Sequence, residues 1–270
     1  MFRRALTLTR CFSSSSSNMG KLSGKVAVVT ASTDGIGYAI ARKLGRDGAH
    51  VVISSRKQAN VDQALEALKC ENLSVSGLTC HVGVASDRQK LVDMVKKEHG
   101  GLDILVSNAA VNPYFGSILA TPEAAYDKIF DVNVKATFML IKEMVPLMEC
   151  RDNSSITIVS SIGGFTPFEL LGVYSVSKTA LIGFTKALTP ELAAKDIRVN
   201  CLCPGVVKTK FSGALWKSEA AAEAVMQQIP LRRLAEPDDC AGIVSFLASD
   251  DAKYITGENF VVSGGMNSRL

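Results

Sequence analysis

Short apolar runs rich in valine and isoleucine alternate along the chain with longer stretches in which apolar residues recur every three or four positions. The short runs predict β-strands and the longer stretches predict helices, because side chains repeat every two residues on a strand and about every 3.6 on a helix. Segment 238–247 shows the helical pattern: it starts with an acid suited to an N-cap, and Cys240, Val244 and Leu247 share one face. Seven strands are predicted, at 26–30, 51–55, 75–82, 104–107, 156–160, 198–202 and 260–262.

This alternation of strand and helix predicts an α/β fold of the Rossmann type, a doubly wound parallel sheet with helices on both faces. No internal repeat or second-domain boundary interrupts the pattern, so residues 20–267 are interpreted as a single domain. A chain of 270 residues with 47% hydrophobic content can bury a core of that size. The most apolar stretch, 138–141, ends at Lys142 and is far shorter than the roughly 18 residues that suggest a membrane span. We therefore expect no membrane span.

The net charge of +4 originates at the start of the chain. Residues 1–25 carry Arg3, Arg4, Arg10, Lys21 and Lys25 and no acid, which leaves 25 basic residues (30 minus 5) against 26 acidic ones in the remainder. A nearly neutral body with only 6% aromatic residues lacks the basic surface that binds phosphate backbones. The composition therefore argues against a nucleic-acid partner.

The seven cysteines are scattered and odd in number, which favours reduced thiols in an intracellular compartment over a disulfide framework. Cys201 and Cys203 form a C-x-C pair, but no second pair and no histidine lies at ligand spacing. We expect the strand to place these two side chains on opposite faces. The sequence thus predicts no metal site.

Both ends of the chain resemble targeting signals. Residues 1–19 combine arginines, a serine run and no acid, as mitochondrial transit peptides do, and a disordered tail is the alternative. The last residues, Ser268, Arg269 and Leu270, follow the pattern of the S-K-L signal that a peroxisomal import receptor reads. Initiation at Met19 would remove the first signal and keep the second. We therefore expect a peroxisomal protein, with a mitochondrial form where the first signal is translated.

The first predicted strand leads through Ala-Ser-Thr-Asp-Gly-Ile-Gly at 31–37 into a helical stretch. A strand, a glycine-containing turn and a helix N-terminus together bind a pyrophosphate, because backbone N–H groups and the helix dipole attract the anion. Glycines at Gly35 and Gly37 allow a close approach of the backbone. A plain connection between strand and helix is the alternative.

The end of the second predicted strand favours NADP(H) over NAD(H). An NAD site takes a carboxylate there for the ribose 2′-hydroxyl, and the first acid after this strand is Asp62. Ser55 and Arg56 instead supply a hydroxyl and a guanidinium that suit a 2′-phosphate. A solvated surface arginine is the alternative, but the spacing of about 20 residues after the glycine loop favours cofactor contact.

Tyr174 and Lys178 lie four residues apart in a helical stretch, so both side chains occupy one face. Alone, this pair is typical of an ordinary helix surface. Ser161 follows the predicted strand 156–160, and open α/β sheets place their chemistry at strand ends. The three residues together therefore predict a catalytic site.

With the 31–37 loop, the Ser-Asn-Ala-Ala run at 107–110, Asn133 and the Pro-Gly pair at 204–205, these residues resemble the short-chain dehydrogenase/reductase family over about 22–265. The resemblance implies that Tyr174 protonates the carbonyl oxygen as hydride arrives and that Ser161 holds that oxygen. It implies that Lys178 lowers the Tyr174 pKa and holds the nicotinamide ribose, and that Asn133 joins a water-linked proton relay. A cation about 4 Å away at an effective dielectric of about 20 supplies roughly 4 kcal/mol, enough for a shift of about three units.

The resemblance also implies the dinucleotide contacts. The residues assigned to NADP(H) are Ala31, Ser32, Thr33, Gly35, Ile36, Gly37, Ser55, Arg56, Asn108, Lys178, Pro204, Gly205, Val207 and Thr209. Segment 211–229 resembles the variable substrate lid, and an apolar carbonyl pocket is expected beside Phe115, Phe165, Phe168 and Leu171. The chain departs from the family pattern at Ala31 and Ala110, where glycine is usual, and at His81, where an aspartate usually faces the adenine.

The implied activity is NADPH-dependent reduction of apolar carbonyl substrates: aromatic ketones, α-dicarbonyls or retinal, with the corresponding alcohols in reverse. The implied assembly is a homotetramer built on the long helices and the last strand. The alternative from another class is a dinucleotide-binding redox sensor without catalysis. Such proteins typically lack the tyrosine or the lysine, and this chain retains both.

Overall fold

The computed structural model of the protein describes residues 20–268. The predicted targeting segment 1–19 and the last two residues of the predicted C-terminal signal, Arg269 and Leu270, lie outside the described residues. The rest of the chain is one α/β unit of the Rossmann type, as predicted.

A seven-stranded sheet forms the centre of the fold, and every neighbouring pair of strands runs parallel. The strand order is β3-β2-β1-β4-β5-β6-β7. The strands are β1 (Val26–Val29), β2 (His50–Ser55), β3 (Val75–Thr79), β4 (Ile104–Ser107), β5 (Ser154–Val159), β6 (Ile197–Pro204) and β7 (Asn259–Val262).

Helices cover both faces of this sheet, which explains why β1, β4, β5 and β6 are buried along their whole length. The α-helices are α1 (Gly35–Arg46), α2 (Gln58–Cys70), α3 (Ala85–His99), α4 (Glu123–Ile129), α5 (Ala136–Met148), α6 (Gly172–Ala193), α7 (Glu219–Gln227) and α8 (Pro237–Ala248). One core forms where α1, α2 and α8 pack on the sheet, and a second forms on the opposite face under α3, α5 and α6. The doubly wound arrangement is therefore confirmed.

All seven predicted strands are present, and the largest boundary error is at β3. It ends at Thr79 instead of residue 82, because His81 and Val82 enter the turn before α3, where the backbone N–H of His81 donates to Asp87 Oδ2 at 3.0 Å. In contrast, β6 extends beyond its predicted end at 202 to Pro204, since its last two residues pair with Val261 and Val262 of β7.

The sheet order reverses between β1 and β4, where successive strands begin to wind in the opposite direction. Ligands of open α/β sheets bind in the crevice that this reversal leaves at the carboxyl ends of the strands. The glycine-containing loop after β1 and the 107–110 motif after β4 both lie there. The topology thus brings together motifs that are about 75 residues apart in sequence.

Cys201 and Cys203 correct one interpretation of the sequence. Their Sγ atoms are 3.7 Å apart on β6, so the expectation of opposite faces is wrong: residues i and i+2 of a strand share a face. None of the six cysteines within the described residues forms a disulfide. In residues 20–268 no group of three or more histidine, cysteine or acidic side chains is arranged to hold a metal ion. Nor does any helix of that region combine the length and apolarity needed to cross a membrane.

Candidate active site

A cleft of about 460 Å³ opens at the carboxyl ends of the central strands. The main parts of the chain that line it are the loop after β1, the chain after β4, the end of β5, the start of α6 and the segment after β6, and Arg56 joins them from the end of β2. Eleven of the fourteen residues assigned to the cofactor line this cleft: Ala31, Gly35, Ile36, Gly37, Arg56, Asn108, Lys178, Pro204, Gly205, Val207 and Thr209. The cleft falls within the volume range of pockets that hold small molecules and cofactors.

The loop after β1 keeps a tight turn although its first glycine is replaced. Ala31 adopts a left-handed backbone with φ of 49°, a conformation that is uncommon for a residue with a Cβ. Gly35 has φ of +56°. Asp34 Oδ1 caps α1 by accepting a hydrogen bond from the Gly35 N–H at 2.8 Å. A Cβ on Gly37 would lie 2.5 Å from Asn108 Nδ2. The turn geometry therefore survives at Ala31, and Gly37 is required for packing.

Two residues assigned to the cofactor hold this loop in place. Ser32 is fully buried: its hydroxyl donates to the carbonyl of Val29 at 2.6 Å and accepts from the N–H of Ser54 at 3.0 Å. Its side chain therefore faces the sheet and not the cleft. Asn108 does line the cleft, but its Nδ2 donates to the carbonyls of Thr30 and Ala31, both at 3.1 Å.

A second cavity, of about 140 Å³, adjoins the loop beyond β2 and β3. Thr33, Ser55 and Arg56 line it, together with His81, and this brings together the polar groups assigned to the adenosine 2′-phosphate. The two cavities share Ala31, Asp34, Arg56 and Ala110. The N-terminus of α1 lies between the small cavity, which contains the Arg56 guanidinium, and the part of the large cleft that contains the Tyr174 hydroxyl. This arrangement fits an elongated, anionic dinucleotide, because a helix N-terminus attracts phosphate.

Ser161, Tyr174 and Lys178 converge at the far end of the large cleft. Ser161 is the second residue after β5, and its side chain hydrogen-bonds that of Tyr174. Lys178 is 2% exposed, and its Nζ lies 5.5 Å from the centroid of the Tyr174 ring. That Nζ donates to the carbonyl of Val159 at 2.9 Å, and Ser160 Oγ donates to the carbonyl of Lys178 at 2.8 Å, so α6 is fixed to the end of β5.

The electrostatics of this group differ from the expectation. Burial raises the pKa of Tyr174 above its ordinary value, and the hydrogen bond with Ser161 offsets only part of that rise. Burial also lowers the pKa of Lys178 to about 8. The predicted net lowering of the tyrosine pKa is therefore not found in the protein alone, because desolvation of the phenolate is the largest influence on it. At neutral pH Tyr174 is a protonated hydroxyl that can donate.

Asn133 lies in a π-helical turn, Phe130–Lys135, between α4 and α5. It is fully buried and does not line the cleft. Its Oδ1 accepts from the N–H of Val111 at 2.8 Å, and its Nδ2 donates to the Val111 carbonyl and to Ser177 Oγ, both at 3.1 Å. Ser177 Oγ in turn donates to the carbonyl of Tyr174 at 2.6 Å. Asn133 thus joins the cleft wall to the helix that carries Tyr174, while the water-linked relay stays a prediction.

The segment after β6 crosses the cleft as a short strap, defined here as residues 207–212. Its hub is Ser212, whose hydroxyl donates to the carbonyl of Val207 and accepts from the indole N–H of Trp216 at 2.9 Å. Ser212 Oγ also lies 3.1 Å from Thr209 Oγ1. An added Cβ on Gly35 would lie 3.1 Å from Thr209 Cγ2, so the strap lies directly against the start of α1.

The open end of the cleft is apolar. Phe115, Phe168 and Leu171 line it as expected, whereas Phe165 is not among its lining residues. The predicted lid contributes Phe211, whose ring centroid is 5.8 Å from that of Tyr174, and Leu215. Three other lid residues, Trp216, Val225 and Met226, pack on a separate small core of Val206, Ile229 and Leu234.

Sequence reasoning did not single out two polar residues that line the cleft, Asn112 and Lys210. Asn112 follows the 107–110 motif closely enough to have been suspected. Nothing in the local sequence of Lys210 distinguishes it from a solvated lysine, because its position depends on how the strap folds back over α1.

Residues 30–267 match the family described as enoyl-(acyl carrier protein) reductase. The chain is 61% identical over 249 residues to dehydrogenase/reductase SDR family member 4 of Oryctolagus cuniculus, covering 92% of this chain and 96% of that protein. It is 57% identical over 267 residues to the Homo sapiens protein of the same name, covering 99% and 96%. Dehydrogenase/reductase SDR family member 2, mitochondrial, of Homo sapiens is 54% identical over 245 residues, covering 91% and 87%.

Among solved structures, L-sorbose reductase from Gluconobacter frateurii, complexed with NADPH and L-sorbose, is similar to this fold with a TM-score of 0.86. The two chains are 32% identical, and the match covers 94% of this chain and 100% of that one. A short-chain dehydrogenase/reductase from Brucella melitensis has the same TM-score at 27% identity, covering 93% and 99%.

Proposed function

The chain belongs to the short-chain dehydrogenase/reductase family of oxidoreductases, and we propose that it is an NADPH-dependent carbonyl reductase of apolar ketones, dicarbonyls or retinoids. The observation that carries this proposal is the convergence of Ser161, Tyr174 and Lys178 in a cleft continuous with the glycine-containing loop. A sensor without catalysis would have no use for this group.

Each of these side chains has a distinct part in carbonyl reduction. NADPH, when bound, supplies the hydride that adds to the carbonyl carbon. Ser161 Oγ holds the carbonyl oxygen by donating a hydrogen bond, and Tyr174 Oη gives its proton to that oxygen as negative charge develops there. Lys178 holds the nicotinamide ribose and, as an ammonium, stabilises the phenolate that Tyr174 leaves behind. The protonated state of Tyr174 at neutral pH suits this direction.

NADP(H) is the proposed cofactor because Ser55 and Arg56 line the cavity beyond β2. A guanidinium can grip a phosphate with two parallel hydrogen bonds, which the ribose hydroxyl of NAD cannot reciprocate. The NADPH in the L-sorbose reductase structure is consistent with this choice.

Apolar substrates are proposed because aromatic and aliphatic side chains line the cleft together with Tyr174: Phe115, Phe168, Leu171, Phe211 and Leu215. A sugar would leave its hydroxyl groups poorly hydrogen-bonded against these surfaces. The relatives named dehydrogenase/reductase SDR family member 4 are similar over nearly the whole chain, which supports a shared substrate class.

We also propose a homotetramer and two destinations. Phe138 and Val176 are partly exposed on α5 and α6, where Phe138 stacks on Phe184 at 5.7 Å, and an apolar helix face of this kind favours association. The C-terminal Ser-Arg-Leu supports peroxisomal import, and the arginine- and serine-rich start of the chain supports a mitochondrial form. The relative named as mitochondrial is consistent with the second destination.

The decisive experiment follows NADPH consumption by the purified protein with a phenyl diketone, retinal and a simple aromatic ketone, and repeats each assay with NADH. We expect turnover with NADPH and little with NADH. Turnover with NADH alone would keep the enzyme and reject the cofactor. Tight NADPH binding without turnover on any carbonyl would favour the redox sensor.

A further inference from the structure

An ion pair spans the mouth of the cleft between the glycine-containing loop and the strap. Lys210 Nζ lies 2.7 Å from Asp34 Oδ2. Asp34 is the N-cap residue of α1 and lines both the large cleft and the cavity beyond β2. Lys210 lines the large cleft but not the cavity beyond β2. A pair that joins these two elements lies where a dinucleotide would enter.

Asp34 is an unfavourable neighbour for a phosphate. The first turn of α1 presents unpaired backbone N–H groups and the positive end of the helix dipole, which together attract an anion. The Asp34 carboxylate already accepts from one of these groups, the N–H of Gly35. A pyrophosphate bound at this turn would therefore meet a like charge, unless a cation stood beside both.

Lys210 is the cation in that position. Its side chain is 91% exposed and that of Asp34 is 57% exposed, so the pair is open to solvent and weakly held. The neighbouring strap residue Thr209 contacts Gly35, which keeps the strap tip over the start of α1. The ammonium can thus swing from a carboxylate to a phosphate oxygen by rotating its own flexible side chain.

We propose that Lys210 binds the pyrophosphate of the dinucleotide, and that cofactor binding exchanges its Asp34 partner for a phosphate oxygen. This inference rests on the proposed function, because it takes the dinucleotide as the ligand. We choose the pyrophosphate over the 2′-phosphate because the Lys210 ammonium lies beside the N-cap residue of α1, Asp34. Lys210 does not line the cavity of Ser55 and Arg56. Asp34 acts as a positioning residue that holds the strap lysine in place until the anion arrives.

The test measures dissociation constants of NADPH and NADH by nucleotide fluorescence, without turnover. The variants are K210M, D34N, R56M and the control K208M. Lys208 is also a strap lysine, paired with Glu236 at 2.8 Å, but it does not line the large cleft. D34N keeps an oxygen that can cap α1 while removing the charge. Thermal unfolding midpoints establish that each variant is folded.

We expect K210M to lower the affinities for NADPH and NADH by the same factor, about tenfold, since both nucleotides carry the pyrophosphate. R56M should lower the affinity for NADPH alone. K208M should leave both dissociation constants within about twofold of the wild type, and D34N should raise both affinities several-fold. A K210M protein within twofold of the wild type for both nucleotides would overturn the assignment, as would a loss confined to NADPH. Weaker binding in D34N would overturn the exchange. A wild-type protein that binds neither nucleotide would reject the proposed function itself.

Discussion

The side-chain amide of Asn133 pairs with both backbone polar groups of Val111, accepting from its N–H at 2.8 Å and donating to its carbonyl at 3.1 Å. The π-helical turn that carries Asn133 makes this possible, because it adds a residue to the helix and turns the side chain inward. The chain after β4, which lines the cleft, is thereby tied to α6.

Replacing Asn133 by alanine tests this connection. N133A leaves the N–H and carbonyl of the half-buried Val111 without their side-chain partner, so we expect the free energy of unfolding to fall by about 1 to 2 kcal/mol. Turnover should fall as well, because Ser177 loses the partner through which Asn133 supports the Tyr174 backbone. Urea unfolding and steady-state rates measure the two effects.

The matched control for N133A is S177A, which removes the link from Asn133 to α6 together with the bond to the Tyr174 carbonyl, and leaves Val111 paired. It should cost about 1 kcal/mol of stability. Equal stability of N133A and the wild type would contradict the positioning role.

Cofactor choice is expected to depend on the end of β2. R56A removes a guanidinium from the cavity there, so NADPH affinity should fall between about 10- and 100-fold while NADH affinity stays constant. S55D introduces the carboxylate that suits a ribose 2′-hydroxyl and should reverse the preference toward NADH. Titration of both nucleotides against both variants measures this, and parallel losses for NADPH and NADH in R56A would rule the assignment out.

The lysine of the active site sets an upper pH limit. Burial lowers the pKa of Lys178 to about 8, so its ammonium is largely present at neutral pH and is lost as the pH rises through that value. The pKa of Tyr174 is raised, so its hydroxyl stays protonated over the same range. The carbonyl-reduction rate should therefore decline above about pH 8. A pH profile at saturating substrate checks this, and a rate that stays constant well above pH 8 would disagree with it.

His50 is expected to make the fold sensitive to acid. Burial and the neighbouring His99, whose ring centroid is 4.4 Å away, lower the pKa of His50. The unfolded chain keeps the ordinary value of about 6.5 and binds more protons below it, so stability should decrease as the pH falls through that value. H50Q cannot titrate and can still hydrogen-bond Ser74 and Ser76. Urea titrations at pH 7.5 and pH 5 should show a smaller loss of unfolding free energy in H50Q than in the wild type. An equal loss in the two proteins would refute this explanation.

The sequence predicted the fold and the convergence of Ser161, Tyr174 and Lys178 because both depend on local signals. Apolar runs define the strands, and residues that follow strand ends of a parallel sheet necessarily meet at one edge. The strand that precedes Ser161 and the four-residue spacing of Tyr174 and Lys178 are visible without any tertiary information.

What the sequence did not predict depends on packing between distant segments. The inward side chain of Ser32, the partners of Asn133 and the Lys210 to Asp34 ion pair each require the strap, loops or helices to be placed first. The predicted direction of the Tyr174 pKa shift was wrong for the same reason, since the extent to which Tyr174 is buried cannot be inferred from sequence spacing. The proximity of Cys201 and Cys203 could have been predicted from strand geometry alone.

The central claim is that Tyr174 is the proton donor of an NADPH-dependent carbonyl reductase, and the variant Y174F tests it most directly. Phenylalanine keeps the ring beside Phe211 and removes only the hydroxyl. NADPH consumption with a phenyl diketone, measured together with the NADPH dissociation constant, should show a rate below about a hundredth of the wild type with nearly unchanged nucleotide affinity. A Y174F protein that keeps more than about a tenth of the wild-type rate would contradict the account.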